Sequence, residues 1–131
     1  MRILVGFDGS EASRRALVHA AELVGSGGAL DVINVIGSQP VSARVGSGVD
    51  GERRRQQKVL RDARVLLDEF DVRMTPHTAV GDPTSEIRAA AEESGAGVIV
   101  VGHGRGIRRL IDGSVSARLV RRAPCDVLVV H

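Results

Sequence analysis

The order of apolar segments along this chain constrains its fold more than any other feature of the sequence. Short apolar runs alternate with segments in which apolar residues recur at helical spacing. Continuous apolar runs are typical of strands that are buried on both faces of a parallel sheet. The alternation therefore predicts an α/β fold, a doubly wound parallel sheet with five strands and four helices. The predicted strands are Arg2–Phe7, Leu30–Ile36, Val72–Val80, Gly97–Val101 and Asp126–Val130.

Capping residues indicate where the helices begin. Ser10 and Asp82 are good N-caps, and Pro83 suits the first position of a helix. Ser114 is the predicted N-cap of the last helix. The second helix is expected from about residue 52 to residue 70, after a loop over 37–51, and residues 53–57 are expected to form a solvated face.

Apolar spacing predicts which side of each helix faces the sheet. The predicted inward residues are Ala12, Ala16, Leu17, Ala20, Leu23 and Val24 in the first helix, Val59, Ala63, Leu66 and Phe70 in the second, Ile87, Ala90 and Ala91 in the third, and Val115, Leu119 and Val120 in the fourth.

Pro76 bears on the order of the strands. Proline has no N–H for a sheet ladder, so its position inside the third strand favours a sheet edge. An edge position for this strand agrees with the order 3-2-1-4-5, which places strands one and four side by side. In open α/β sheets, ligands bind beyond the carboxyl ends of the strands where the order reverses. The loops over residues 8–10 and 102–106 are therefore predicted to line one crevice.

The composition excludes several classes of function. The 131 residues predict a single domain over residues 1–131, with a formal net charge of +2. Phe7 and Phe70 are the only Phe, Trp or Tyr residues, so the aromatic platforms of single-strand nucleic-acid binding are lacking. A lone cysteine, Cys125, excludes an intrachain disulfide and a cysteine-based zinc site. Because no segment has the ~20 apolar residues that cross a bilayer, we expect a cytoplasmic protein without nucleic-acid or membrane partners.

The segment Val98–Val130 carries the clearest indication of a ligand. It is predicted to be a buried strand, a glycine-rich loop, a helix that opens at Gly113–Ser114 and a final strand. Loop glycines let backbone N–H groups approach an anion, and a helix N-terminus adds unpaired donors. The pattern predicts phosphate binding. Asp8 would accept a hydrogen bond from a ribose hydroxyl, hold Mg²⁺ or brace the first helix. Ser114 would donate a hydrogen bond to a phosphate or cap its helix.

Three segments give the chain a resemblance to a known family. They are ILVGFDGSEASRRAL near the start, GDP before the third helix and GSVSARLVRRAPCDVLVV at the end. In order and spacing they resemble the universal stress proteins over nearly the whole length, apart from residues 37–51. The resemblance implies the strand order 3-2-1-4-5 of the adenine nucleotide alpha hydrolase-like folds and a role in stress survival. It also implies homodimers joined through the last strand, and the short apolar edge at 127–130 would favour such pairing.

The nucleotide-binding branch of that family has a glycine signature: Gly, two residues, Gly, nine residues, Gly and then Ser or Thr. Here one residue lies in the first interval and eight in the second, so the loop is two residues shorter. The resemblance implies that the chain binds ATP or ADP, with or without Mg²⁺, and has no catalytic residue and no metal site of its own. The implied binding residues are Asp8, Val35 through its backbone, Gly102, Gly104, Gly113, Ser114 and Val115.

Two other functions stay open at this point. The first is a dimeric interaction module of the same family that binds no nucleotide, which the shortened glycine loop favours. The second is an enzyme of the wider nucleotide-binding α/β group, such as one that transfers adenylate. His103 is the only histidine placed in the predicted crevice, and no neighbouring nucleophile or Walker lysine accompanies it. The sequence therefore favours a nucleotide sensor that acts through occupancy.

Overall fold

The computed structural model describes residues 1–37, 48–103 and 113–131, which form one five-stranded parallel sheet flanked by helices. The elements are β1 Ile3–Gly6, α1 Glu11–Val24, β2 Ala29–Ile36, α2 Gly48–Asp68, β3 Arg73–Val80, α3 Pro83–Ser94, β4 Val98–Gly102, α4 Gly113–Arg122 and β5 Asp126–Val130. The strand order is β3-β2-β1-β4-β5, so the predicted fold and the edge position of the Pro76 strand are confirmed.

Apolar side chains bury both faces of the sheet. On one face, α1 and α2 pack Leu17 and Leu67 against Phe7 of the β1 turn and neighbouring strand residues. On the other face, α3 and α4 pack Ile87 and Leu119 against the strands. Each such side chain, when fully buried, stabilises the fold by about 1.5–3 kcal/mol relative to exposure. This two-sided burial explains why the central strands are continuously apolar.

The predicted caps of α1 and α3 are confirmed. The Ser13 N–H donates to Ser10 Oγ at 3.2 Å, and the Ser85 N–H donates to an Asp82 carboxylate oxygen at 3.0 Å. Pro83 is the first residue of α3. Hydrogen bonds from Ser85, and then the nearby positive charge of the α4 arginines, hold the pKa of Asp82 below its usual value of 3.8. Two short polar residues thus fix where two helices leave the carboxyl end of the sheet.

The beginnings of two helices differ from the prediction. α2 begins at Gly48, about one turn before residue 52, so the predicted loop over 37–51 is too long. Gly48 and Gly51 hide this turn because glycine has a low helix propensity. α4 begins at Gly113, so Ser114 lies inside the first turn and is not the residue before it. Such shifts of one or two residues are common at helix ends.

Three predicted helix faces also need correction. Leu23 of α1 and Val120 of α4 are more than half exposed and do not face the core. The buried stripe of α2 consists of Gln56, Leu60, Ala63 and Leu67, while Val59 and Leu66 are only partly buried. α2 ends at Asp68, which leaves Phe70 beyond it in a turn. Gln56 was predicted to be solvated, but it is buried because its amide donates to two main-chain carbonyls of the sheet.

Among the described residues, no helix combines the length and the hydropathy that crossing a bilayer demands.

Candidate functional site

The strands β1 and β4 lie next to each other in the sheet. The two strands pair in parallel, with Leu4 opposite Ile99 and Val5 opposite Val100. Because parallel strands end at the same edge of a sheet, the Asp8 turn and Gly102 at the end of β4 occupy neighbouring positions. The predicted adjacency of strands one and four is therefore confirmed, and the chain reverses its winding at this point, where open α/β sheets bind ligands.

Asp8 is buried at the start of α1 and braces the turn before it. One carboxylate oxygen accepts the Ser10 N–H at 2.9 Å. The Asp8 N–H donates to Ser13 Oγ at 3.3 Å, and this hydroxyl donates in turn to the Ser10 carbonyl at 3.0 Å. Asp8 thus has the helix-bracing role that the sequence left open. The same geometry fixes the carboxylate at the edge of the predicted crevice.

Gly102 is the last residue of β4, and its small size has a packing reason. A Cβ built at this position would overlap the carbonyl group of Ala12 in α1. The absence of a side chain therefore lets α1 lie directly against the end of β4. Gly102 belongs to the helix–strand contact, whatever further role its backbone has toward a ligand.

The structure describes four of the five remaining predicted binding residues. Val35 is buried in β2 opposite Ala79, so only its backbone is available at the strand end. Val115 is buried in the core against the strands, so any contact of this residue with a ligand would also involve its backbone. Gly113 and Ser114 form the start of α4. Gly104 lies outside the described residues, as do the other residues from 104 to 112.

The first turn of α4 has the electrostatic character that favours an anion. The first N–H groups of an α-helix have no partner within the helix, and the helix dipole adds partial positive charge there. α4 begins at Gly113 and follows β4, the strand that pairs with β1. In the part of the chain that the structure describes, no group of three or more His, Cys, Asp or Glu side chains is placed to hold a metal ion.

His103 follows Gly102 and packs toward the end of β5. Its N–H donates to the Val130 carbonyl at 2.7 Å. Its Nδ1 lies 3.4 Å from Ser116 Oγ, and its ring centroid lies 4.8 Å from that of His131. These contacts direct the ring toward α4 and His131.

Two carboxamides at the carboxyl end of the sheet were missed from the sequence. Gln56 Nε2 donates to the carbonyls of Asn34 at 3.2 Å and Ala79 at 3.1 Å, and Asn34 Nδ2 donates to the Phe7 carbonyl at 2.8 Å. One signal was available: Gln56 lies four and seven residues before Leu60 and Ala63, on the inward face of α2. A polar residue in an apolar stripe indicates a buried hydrogen-bonding role.

An open groove of the described residues lies elsewhere. It encloses about 570 Å³ between α1 and β5, where Arg14, Val18, His19, Leu128 and His131 contribute to its walls. This groove runs along the β5 side of the sheet and includes none of the predicted nucleotide-binding residues.

Comparisons with known proteins place these features in a family. The sequence model of the Universal stress protein family matches residues 1–131. Universal stress protein Rv1636 of Mycobacterium tuberculosis is 31% identical over 98% of this chain and 94% of its own. The chain is also similar to a universal stress protein solved in complex with cAMP, with 27% identity, a TM-score of 0.72 and coverage of 100% of this chain and 97% of that one.

A second ligand complex points to the same family. The universal stress protein of Archaeoglobus fulgidus in complex with dAMP has 25% identity and a TM-score of 0.72, with coverage of 100% of this chain and 98% of that one. The full-length family match, the similar relative and the shared strand order agree with the resemblance found in the sequence. This chain belongs to the universal stress protein family.

Proposed function

We propose that this protein binds ATP or ADP in the crevice between the β1 and β4 turns and signals through occupancy of that crevice, without catalysing a reaction. The adjacency of β1 and β4 is the observation that carries the proposal, because it brings the Asp8 turn and the start of α4 to one edge of the sheet. The cAMP and dAMP complexes of similar proteins support adenine nucleotides as the ligand class.

Each predicted binding residue has a role in this proposal. The backbone of Val35 meets the adenine, and Asp8 meets the ribose or a Mg²⁺ ion that accompanies the phosphates. Gly102 and Gly104 keep the loop backbone close to the ligand. The N–H groups at Gly113, Ser114 and Val115 hold the phosphates, together with the Ser114 hydroxyl. The start of α4 suits a polyphosphate, since anions are favoured at the amino-terminal end of the helix dipole.

A second candidate function is a nucleotide-free interaction module of the same family. Two observations favour it: the glycine loop is two residues shorter than the signature, and one oxygen of Asp8 already accepts the Ser10 N–H. The test that separates the two candidates is direct. Purified protein is denatured and the released small molecules are chromatographed, followed by calorimetric titration of the refolded or ligand-stripped protein with ATP and Mg²⁺.

The expected result is an adenine nucleotide that is released or that binds on titration. Gly113→Val should abolish this binding and leave the fold intact, because the new side chain would enter the phosphate space. Gly97→Val is the matched control, since a Cβ at Gly97 makes only ordinary contact with Met1, 3.5 Å from its Cγ, at the amino end of β4. No released nucleotide and no heat at millimolar ATP would favour the interaction module.

The proposed assembly is a homodimer joined through β5. Within the described residues β5 pairs with β4 alone, which leaves its outer edge available for an antiparallel copy of itself. Sedimentation should give a dimer for the native chain and a monomer for Leu128→Arg. Because Leu128 also packs against the core, circular dichroism must first show that the variant is folded. A folded variant that stays dimeric would place the contact elsewhere.

A further inference from the structure

Gln56 makes the contact between α2 and the carboxyl end of the sheet. Its side chain is 5% exposed, and its Nε2 lies 3.2 Å from the Asn34 carbonyl in β2 and 3.1 Å from the Ala79 carbonyl in β3. Both partners are acceptors, so the amide nitrogen and not the oxygen must face them. One helix residue therefore holds two neighbouring strands by their main chains.

Asn34 extends this contact to β1. Its side chain is 3% exposed, and its Nδ2 donates to the Phe7 carbonyl at 2.8 Å, while the Phe7 N–H donates to the Ile33 carbonyl at 2.9 Å. Two buried carboxamides thus form a connected series that joins α2, β3, β2 and the end of β1. Buried networks of this kind restrict the groups that they join more strongly than exposed hydrogen bonds do.

The series ends beside residues of the proposed crevice. Asn34 directly precedes Val35, whose backbone is the proposed adenine contact, and Phe7 directly precedes Asp8. The phosphate side, by contrast, is formed by the start of α4, which follows β4 on the opposite side of β1 from β2. Gln56 therefore touches the backbone on the base side of the crevice.

We propose that Gln56 is a positioning residue for adenine: it holds the backbone at the ends of β2 and β3 in the geometry that the base requires. This inference rests on the proposed function, and it assigns to α2 a part in ligand selection. If Gln56 has a purely structural role, its loss lowers the stability of the fold without a preference between ligands. If it positions the backbone for adenine, its loss weakens binding of the base and leaves binding of the phosphates unchanged.

The test compares Gln56→Met with Gln57→Met. Methionine preserves the length and flexibility of the side chain but removes the donor, and Gln57 is an exposed neighbour that provides a matched control. The probes are adenosine, which carries the base, and inorganic tripolyphosphate, which carries only the phosphate part. Hydrogen–deuterium exchange at residues 34–37 and 79–81 reports the order of the backbone directly. The Gly81 N–H donates to the Ile36 carbonyl at the end of β2, at 2.9 Å, so its exchange rate reports this contact.

We expect Gln56→Met to bind adenosine about three- to tenfold more weakly, to bind tripolyphosphate as the native chain does, and to exchange faster at both segments. Gln57→Met should match the native chain in all three measurements. Unchanged adenosine affinity in a folded Gln56→Met protein, or an equal loss for both probes, would overturn the inference while the proposed function stands. A native chain that binds neither probe would overturn the proposed function, and the inference with it.

Discussion

His77 Nε2 lies 2.9 Å from Asp31 Oδ1, across the neighbouring strands β3 and β2. Asp31 is buried, and its other carboxylate oxygen lies 3.4 Å from the Arg2 guanidinium, which is itself exposed. A buried carboxylate costs folding free energy unless it is hydrogen-bonded, so His77 of the edge strand supplies Asp31 of β2 with a closer partner than Arg2 does. The pair therefore fastens β3 to β2 at the amino-terminal half of the sheet.

His77→Ala should lower the free energy of unfolding by about 1–3 kcal/mol, because it removes the closer partner of a buried carboxylate. Chemical denaturation monitored by circular dichroism measures this change. His19→Ala is the matched control, since His19 is exposed on α1. Equal stabilities of the two variants would show that the Arg2 contact alone satisfies Asp31.

Gly102→Ala should destabilise the fold by about 1–3 kcal/mol, the typical cost of forcing a methyl group into a packed contact. The new Cβ would overlap the Ala12 carbonyl, which is backbone and has little freedom to move. Gly97→Ala, at the other end of β4, should have little effect because its Cβ meets no close backbone atom. Thermal unfolding of both variants tests the difference, and a stable Gly102→Ala protein would show that α1 shifts readily.

Thr84→Val should raise the free energy of unfolding by about 1 kcal/mol. The Thr84 hydroxyl is buried near the start of α3 and has no hydrogen-bond partner among the described residues, so the nearly isosteric valine removes an unsatisfied group. Ser85→Ala is the contrasting variant, since the Ser85 hydroxyl donates to Asp82 at 2.9 Å and its loss should not stabilise the protein. A fall in the stability of Thr84→Val would reveal that the hydroxyl is satisfied by water.

Asp82→Asn should reduce the loss of stability in acid. The folded pKa of Asp82 lies below its unfolded value of 3.8, so its contribution is fully present above that value and is lost as the pH falls through the lower, folded pKa. Asparagine also caps helices well and does not titrate in this range. Unfolding midpoints of the native and variant chains should converge as the acid limit is approached, and a constant difference at all pH values would contradict this explanation.

Local signals in the sequence were sufficient for the architecture. Pro76 indicated the edge strand, Ser10 and Asp82 marked helix starts, and apolar runs gave the strands, because each depends on a neighbouring stretch of chain. The strand order follows from these elements together with the family resemblance. The adjacency of β1 and β4 was also predictable from that order, and the part of each predicted site residue in ligand binding stays a prediction.

Details that depend on distant contacts could not be predicted in this way. The exposure of Leu23 and Val120 follows from where each helix meets the sheet, and apolar spacing alone does not determine that contact. Gln56 is buried because two carbonyls from other parts of the chain accept its amide. The size requirement at Gly102 arises from Ala12, a residue ninety positions earlier in the sequence.

The most direct test of nucleotide binding between the β1 and β4 turns is a titration of ¹⁵N-labelled protein with ADP, followed by two-dimensional NMR. We predict that the backbone amide signals that move most belong to residues 8–10, Val35 and the start of α4 at Gly113–Val115. Shifts confined to the α1–β5 groove around Val18 and Leu128, or no shifts at millimolar ADP, would contradict the proposed site.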